Sequence, residues 1–82
     1  MLDIRPSCEC CDTDLEPTSP DVMICSYECT WCLDCATTVL HGTCPNCGGE
    51  LARRPVPSAS RLADDPPSTS RVFNPDCRPV PA

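Results

Sequence analysis

Cysteine spacing constrains this chain more than any other feature. Cys25, Cys29, Cys32, Cys35, Cys44 and Cys47 crowd one stretch around Trp31, and Cys8, Cys10 and Cys11 precede it. Two cysteines three positions apart, bent around a tight turn, present two thiolates to one tetrahedral ion. Taking Cys8 and Cys11 as the first pair, the chain reads C-x2-C-x13-C-x3-C-x2-C-x2-C-x8-C-x2-C. Four pairs, three at that spacing and Cys25/Cys29 one residue wider, supply the eight ligands that two zinc ions require.

Length makes a staple necessary. The chain has 82 residues, and seven of its 11 prolines follow Leu51. That leaves roughly fifty residues to fold, too few to hold together by apolar burial alone. Ten cysteines suit either disulfides or metal, and compartment separates the two. The opening run Met1-Leu2-Asp3-Ile4-Arg5-Pro6-Ser7-Cys8 is polar and broken by proline, unlike an export signal. No stretch approaches the ~20 apolar residues that span a bilayer. These features lead us to expect a cytoplasmic protein with no membrane association, whose thiols meet metal.

Charge narrows the partners. Residues 1–51 hold nine acids and one arginine, while the remainder holds three acids and five arginines. Phosphate backbones are bound by neutralising them with Lys and Arg. An acidic core whose thiolates add further negative charge argues against nucleic acid and for a protein partner with a basic or apolar patch.

Along the chain, Leu2 and Ile4 form a lead-in that can rest on the core. Asp12–Asp21, with Pro17 and Pro20, reads as a polar loop. Val22-Met23-Ile24 reads as a short strand running into Cys25, continued by Ser26-Tyr27 beyond the knuckle. From Cys32 to His41 the apolar residues Leu33, Ala36 and Leu40 share one helical face, with Gly42 as a left-handed cap. Asp34 in the first turn and His41 in the last suit the helix dipole. Thr37, Thr38 and Val39 limit the helix to two turns at most. Residues 52–82 read as a disordered Pro/Arg/Ser-rich tail that cannot bury enough to offset its ordering entropy.

Two pairings of the thiols compete. Sequential pairing joins Cys8 and Cys11 with Cys25 and Cys29, and Cys32 and Cys35 with Cys44 and Cys47. Interleaved pairing joins Cys8 and Cys11 with Cys32 and Cys35, and Cys25 and Cys29 with Cys44 and Cys47. A helix between Cys35 and Cys44 turns those two away from each other, which favours interleaving. Four thiolates also suit an iron–sulfur cluster. Cys10 is surplus: a spare ligand, a bystander, or the thiol of a metal or redox sensor. Cys77 reads as incidental. His41 reads as a cap or shield rather than a ligand, Trp31 as the anchor of the core, and the carboxylates as a solvating surface. No catalytic set stands out, and fully ligated zinc leaves no open position for water.

The spacing, with its Cys44-Pro45-Asn46-Cys47 ending, resembles RING-type cross-brace zinc fingers over residues 8–47. It departs from them at Cys29, where His is common, and at Glu9-Cys10, where an apolar residue helps seat a conjugating enzyme. As an adaptor in a transfer reaction the chain would need an exposed apolar groove around Trp31 and Pro45. A closer resemblance is to the small bacterial family known as domain of unknown function 1272. Its residues here are Arg5-Pro6, Cys8-Glu9-Cys10-Cys11, Ile24-Cys25-Ser26, Glu28-Cys29-Thr30, Cys32, Asp34-Cys35-Ala36, Val39-Leu40-His41-Gly42 and Cys44 to Leu51. That resemblance implies a cytoplasmic zinc-binding bacterial protein and no activity. The expectation is therefore a small α+β zinc finger, RING-like or treble-clef-like, with a hairpin and one short helix. Residues 1–51 would carry two four-cysteine zinc sites in a non-enzymatic protein-interaction module.

Overall fold

Among the described residues, three short strands and two short helices frame the turns that hold most of the cysteines. The computed structural model describes residues 2–77. In chain order the elements are β1 (Val22–Ile24), β2 (Thr30–Cys32), α1 (Leu33–Thr38), β3 (Ala52–Arg53) and α2 (Ala59–Asp64). They form a small α+β fold whose sheet runs β2-β1-β3, antiparallel throughout.

The hairpin follows from the run Val22-Met23-Ile24 meeting Thr30-Trp31-Cys32, with Met23 opposite Trp31. Branched and aromatic side chains pack well on a pleated surface. Val22, Thr30 and Trp31 are fully buried. Ser26 and Tyr27 do not continue the strand, contrary to expectation. The Tyr27 N–H turns back to the Cys25 sulfur, so the chain bends there and leaves the Tyr27 ring 74% exposed.

Helix α1 starts directly at the end of β2. Cys32 is its N-cap, its sulfur accepting from the Cys35 N–H. The Thr37 and Thr38 hydroxyls donate to carbonyls of Leu33 and Asp34, an outlet that β-branched Thr uses within helices. The helix stops after six residues. The Gly42 N–H then reaches back to the Ala36 carbonyl, with Gly42 at φ 79° and His41 at φ 51°. His41 thus lies past the helix, exposed, rather than in its last turn. Ala36 is buried, Leu40 is half-buried, and Leu33 faces solvent, so the apolar face is narrower than its periodicity suggested.

Beyond Leu51 the structure departs from the expected disordered tail. Strand β3 begins at the next residue and completes the sheet, and the Arg54 N–H donates to the Val22 carbonyl. The outer edge of β1 has main-chain groups that need partners, and β3 supplies them. Arg54 itself is buried, its guanidinium donating to the carbonyls of Arg5 (3.2 Å) and Glu16 (3.1 Å). Further on, Ser58 caps α2, the Ser68 N–H bonds to the Ile4 carbonyl, and Arg71 pairs with Asp12 and Asp14. Polar contacts and the Cys10–Cys77 bond, rather than apolar burial, place this segment. Residues 78–82 of the expected tail lie outside the described residues.

The interior is small. Ile4, Val22, Trp31, Ala36 and Leu51 are buried with Cys8, Cys25, Cys35 and Cys44, so sulfur makes up much of the core. Leu2, expected beside Ile4, stays partly exposed. Among the described residues no helix is long and apolar enough to cross a membrane.

Candidate metal centres

Three of the cysteine pairs sit in turns of similar construction. In the first, the Asp12 N–H donates to the Cys8 carbonyl, and the Cys10 N–H to the Cys8 sulfur at 3.3 Å. In the second, the Glu28 N–H donates to the Cys25 carbonyl, and the Tyr27 N–H to the Cys25 sulfur at 3.3 Å. In the third, the Gly48 N–H donates to the Cys44 carbonyl, and the Gly49 N–H to the Cys47 sulfur at 3.4 Å. Each turn closes through a left-handed residue: Asp12 at φ 61°, Glu28 at φ 65° and Gly48 at φ 76°. Only Gly48 adopts that conformation without steric cost. The fourth pair, Cys32 and Cys35, is the first turn of α1. Amide hydrogens aimed at sulfur favour thiolate over thiol.

Folding brings these pairs together alternately. The sulfurs of Cys8, Cys11, Cys32 and Cys35 lie within 4.8 Å of one another. Those of Cys25, Cys44 and Cys47 form a second group within the same limit. Both clusters can hold metal ions. The physical reason for the alternation is the hairpin and helix: β2 carries Cys32 away from Cys29, and α1 separates Cys35 from Cys44. Cys29 stands beside the second group, interacting with Cys25 and Asn46, but outside the set of three. His41 joins neither.

The two clusters differ in exposure. Cys8 and Cys35 are fully buried, while Cys11 and Cys32 border an open cleft of about 580 Å³ that also meets Asp21 and Asp34. In the second group Cys25 and Cys44 are buried but Cys47 is exposed.

Burial alone would push the Cys11 thiol up. The Thr13 hydroxyl, 3.2 Å away, with the Thr13 main chain and neighbouring thiols, brings it instead down to about 6. At Cys25 burial is likewise outweighed, by main-chain donors at Tyr27 and Cys29, and its pKa falls to about 7. Burial raises Cys29, Cys32, Cys35 and Cys44, the last to about 12, and adjacent cysteines push Cys35 and Cys44 further up. Cys11 in the first cluster and Cys25 in the second are thus lowered, while buried neighbours in the same clusters are raised. A divalent cation among the sulfurs offsets the raised values, because coordination deprotonates thiols. The donor set fits such an ion.

Glu9 is structural, whereas composition places it among the solvating surface acids. It is buried at 1% exposure, accepting from the Thr30 N–H (2.6 Å) and the Asn46 amide (3.3 Å) and pairing with Arg5 (3.0 Å). It ties the Cys8 turn to β2 and to the Cys44 turn, and so braces both clusters. Its place between two cysteine ligands was the available signal. Cys10 and Cys77, read as surplus and incidental, form a disulfide with Cα atoms 5.2 Å apart.

Known proteins resemble the chain over most of its length. Residues 1–57 match the family described as "Protein of unknown function (DUF1272)". An uncharacterized protein of Rhizobium meliloti (strain 1021) is 62% identical over 80 residues, covering 96% of this chain and 95% of its own length. No solved structure matches.

Proposed function

We propose, for a chain that belongs to the DUF1272 family of proteins of unknown function, a role as a non-catalytic zinc module that presents an acidic face to a protein partner. The observation that carries this reading is the alternating assembly of sulfurs on turns whose amides point at them. Zinc suits all-thiolate tetrahedral sites and has no redox chemistry of its own. Cys8, Cys11, Cys32 and Cys35 would hold one ion. Cys25, Cys44 and Cys47, completed by the neighbouring Cys29, would hold the other. That arrangement is the cross-brace order of RING-like fingers.

The acidic face comes from Asp12, Asp14, Glu16, Asp21, Asp34 and Glu50, all exposed. It favours a basic protein surface over nucleic acid. The transfer-reaction adaptor loses its main support, because Trp31 is fully buried and lines no groove.

Elemental analysis of protein purified from cells tests the assignment, with two zinc per chain expected. Stripping that metal with a strong chelator should abolish the helix and sheet signals in circular dichroism, since metal binding and folding are one equilibrium in such domains. Metal-free protein with an unchanged spectrum would overturn the reading.

A further inference from the structure

Residues 71–77 lie across the turns that carry both clusters. The Asn74 N–H donates to the Glu9 carbonyl at 2.7 Å, in the Cys8–Cys11 turn. The Asn74 amide donates to Asn46 Oδ1 at 3.0 Å, in the Cys44–Cys47 turn. Arg71 pairs with Asp12 and Asp14, and the segment ends in the bond from Cys77 to Cys10, between Cys8 and Cys11. Apart from that bond, its side-chain contacts are exposed, and exposed ion pairs and hydrogen bonds hold little by themselves. Among these contacts only the covalent one is strong.

We propose that Cys10–Cys77 is a reversible redox site that fastens residues 71–77 as a strap over both cysteine clusters, and that a monothiol reductant of the glutathione class releases it. A reductant thiolate attacks the sulfur of Cys77, the residue that keeps more exposure of the two, 9% against 4%. The Sγ–Sγ bond breaks, and its electron pair leaves with Cys10, which takes up the proton lost by the incoming thiol. A second reductant thiol then attacks the mixed disulfide, returning Cys77 as a thiol and forming the reductant's own disulfide. Two electrons and two protons have passed to the protein, and oxidised reductant reverses the sequence. Release uncovers the Glu9 main chain and leaves a thiol at Cys10 beside the first cluster. The disulfide and strap stand independently of any metal; the consequence for metal exchange rests on the zinc reading.

Full-length protein equilibrated in reduced and oxidised glutathione mixtures tests this, with maleimide labelling of Cys10 and Cys77 read by mass spectrometry and Asn74 amide exchange read in parallel. Both cysteines should become labelled together across one transition, and Asn74 should exchange at least tenfold faster in reduced protein and in Cys77→Ser. Labelling of both cysteines throughout the oxidising range, or equal Asn74 exchange in Cys77→Ser and oxidised wild type, overturns the proposal. Zinc transfer to a colorimetric chelator should be several-fold faster from Cys77→Ser at an unchanged zinc count, and equal rates would overturn the link to metal exchange. Absence of zinc from every form would count against the metal assignment alone, since labelling and amide exchange still decide the strap.

Discussion

Replacing Arg54 with Ala tests whether the chain past Leu51 belongs to the fold. The buried guanidinium donates to two main-chain carbonyls in different segments, at Arg5 and Glu16, and no carboxylate pairs with it among the described residues. Removing it leaves two carbonyls short of a donor, at about 1–3 kcal/mol each. Relief of the burial that lowers the Arg54 pKa offsets part of this. A net loss of about 3 kcal/mol follows, which for a domain this small lowers Tm by roughly 12–24 °C. Arg54→Lys keeps the charge but not the fork that reaches both carbonyls, and should fall between Arg54→Ala and wild type. Arg53→Ala, exposed and one residue away, should change stability by no more than about 0.5 kcal/mol. Urea unfolding followed by Trp31 fluorescence at one buffered free-zinc concentration measures all three, since bound metal otherwise shifts apparent stability. Equal stability of the Arg54→Ala and Arg53→Ala proteins would refute the reasoning and return residues 52–77 to a disordered tail.

Glu9→Ala should destabilise by about 1–3 kcal/mol, because it strands the buried Thr30 amide and leaves Arg5 with Asp3 as its remaining carboxylate partner; Glu9→Gln, which still accepts from Thr30, should cost less in the same urea assay. In stepwise chelator titration the second cluster should empty first, with Cys47 exposed and Cys29 set aside, and Cys44→Ser should lose one zinc of two. On the zinc reading the metal-free chain is unfolded, so its thiols titrate near the ordinary value of about 9 and are protonated at pH 7. Zinc binding at pH 7 should therefore release protons, and zinc affinity should fall as pH drops, because each ligand binds as a thiolate. Calorimetric heats should then depend on the buffer's ionisation enthalpy, and identical heats in all buffers would contradict this.

Much of the fold was legible in the order of residues. Cysteine pairs at knuckle spacing, a β-branched run into Cys25 and the stop at Gly42 are local features, and each acts through a few neighbouring peptide units. They announced the turns, the hairpin and the helix. The alternating grouping of sulfurs followed less directly, from the helix expected between Cys35 and Cys44. Composition misjudged the last third, because it weighs apolar burial and has no way to count an arginine shared between two distant carbonyls.

What the chain determined alone is thus its set of sulfur-bearing turns and the short elements between them, since the turns close over four or five residues and the hairpin pairs residues only six to ten positions apart. Which turns meet, that Glu9 is buried as their brace, that Arg54 ties residues 5 and 16 to the sheet, and that Cys10 finds Cys77 were decided only in three dimensions. Those contacts join residues separated by 21 to 67 positions. Their partners become neighbours only after the hairpin and the cysteine clusters have formed.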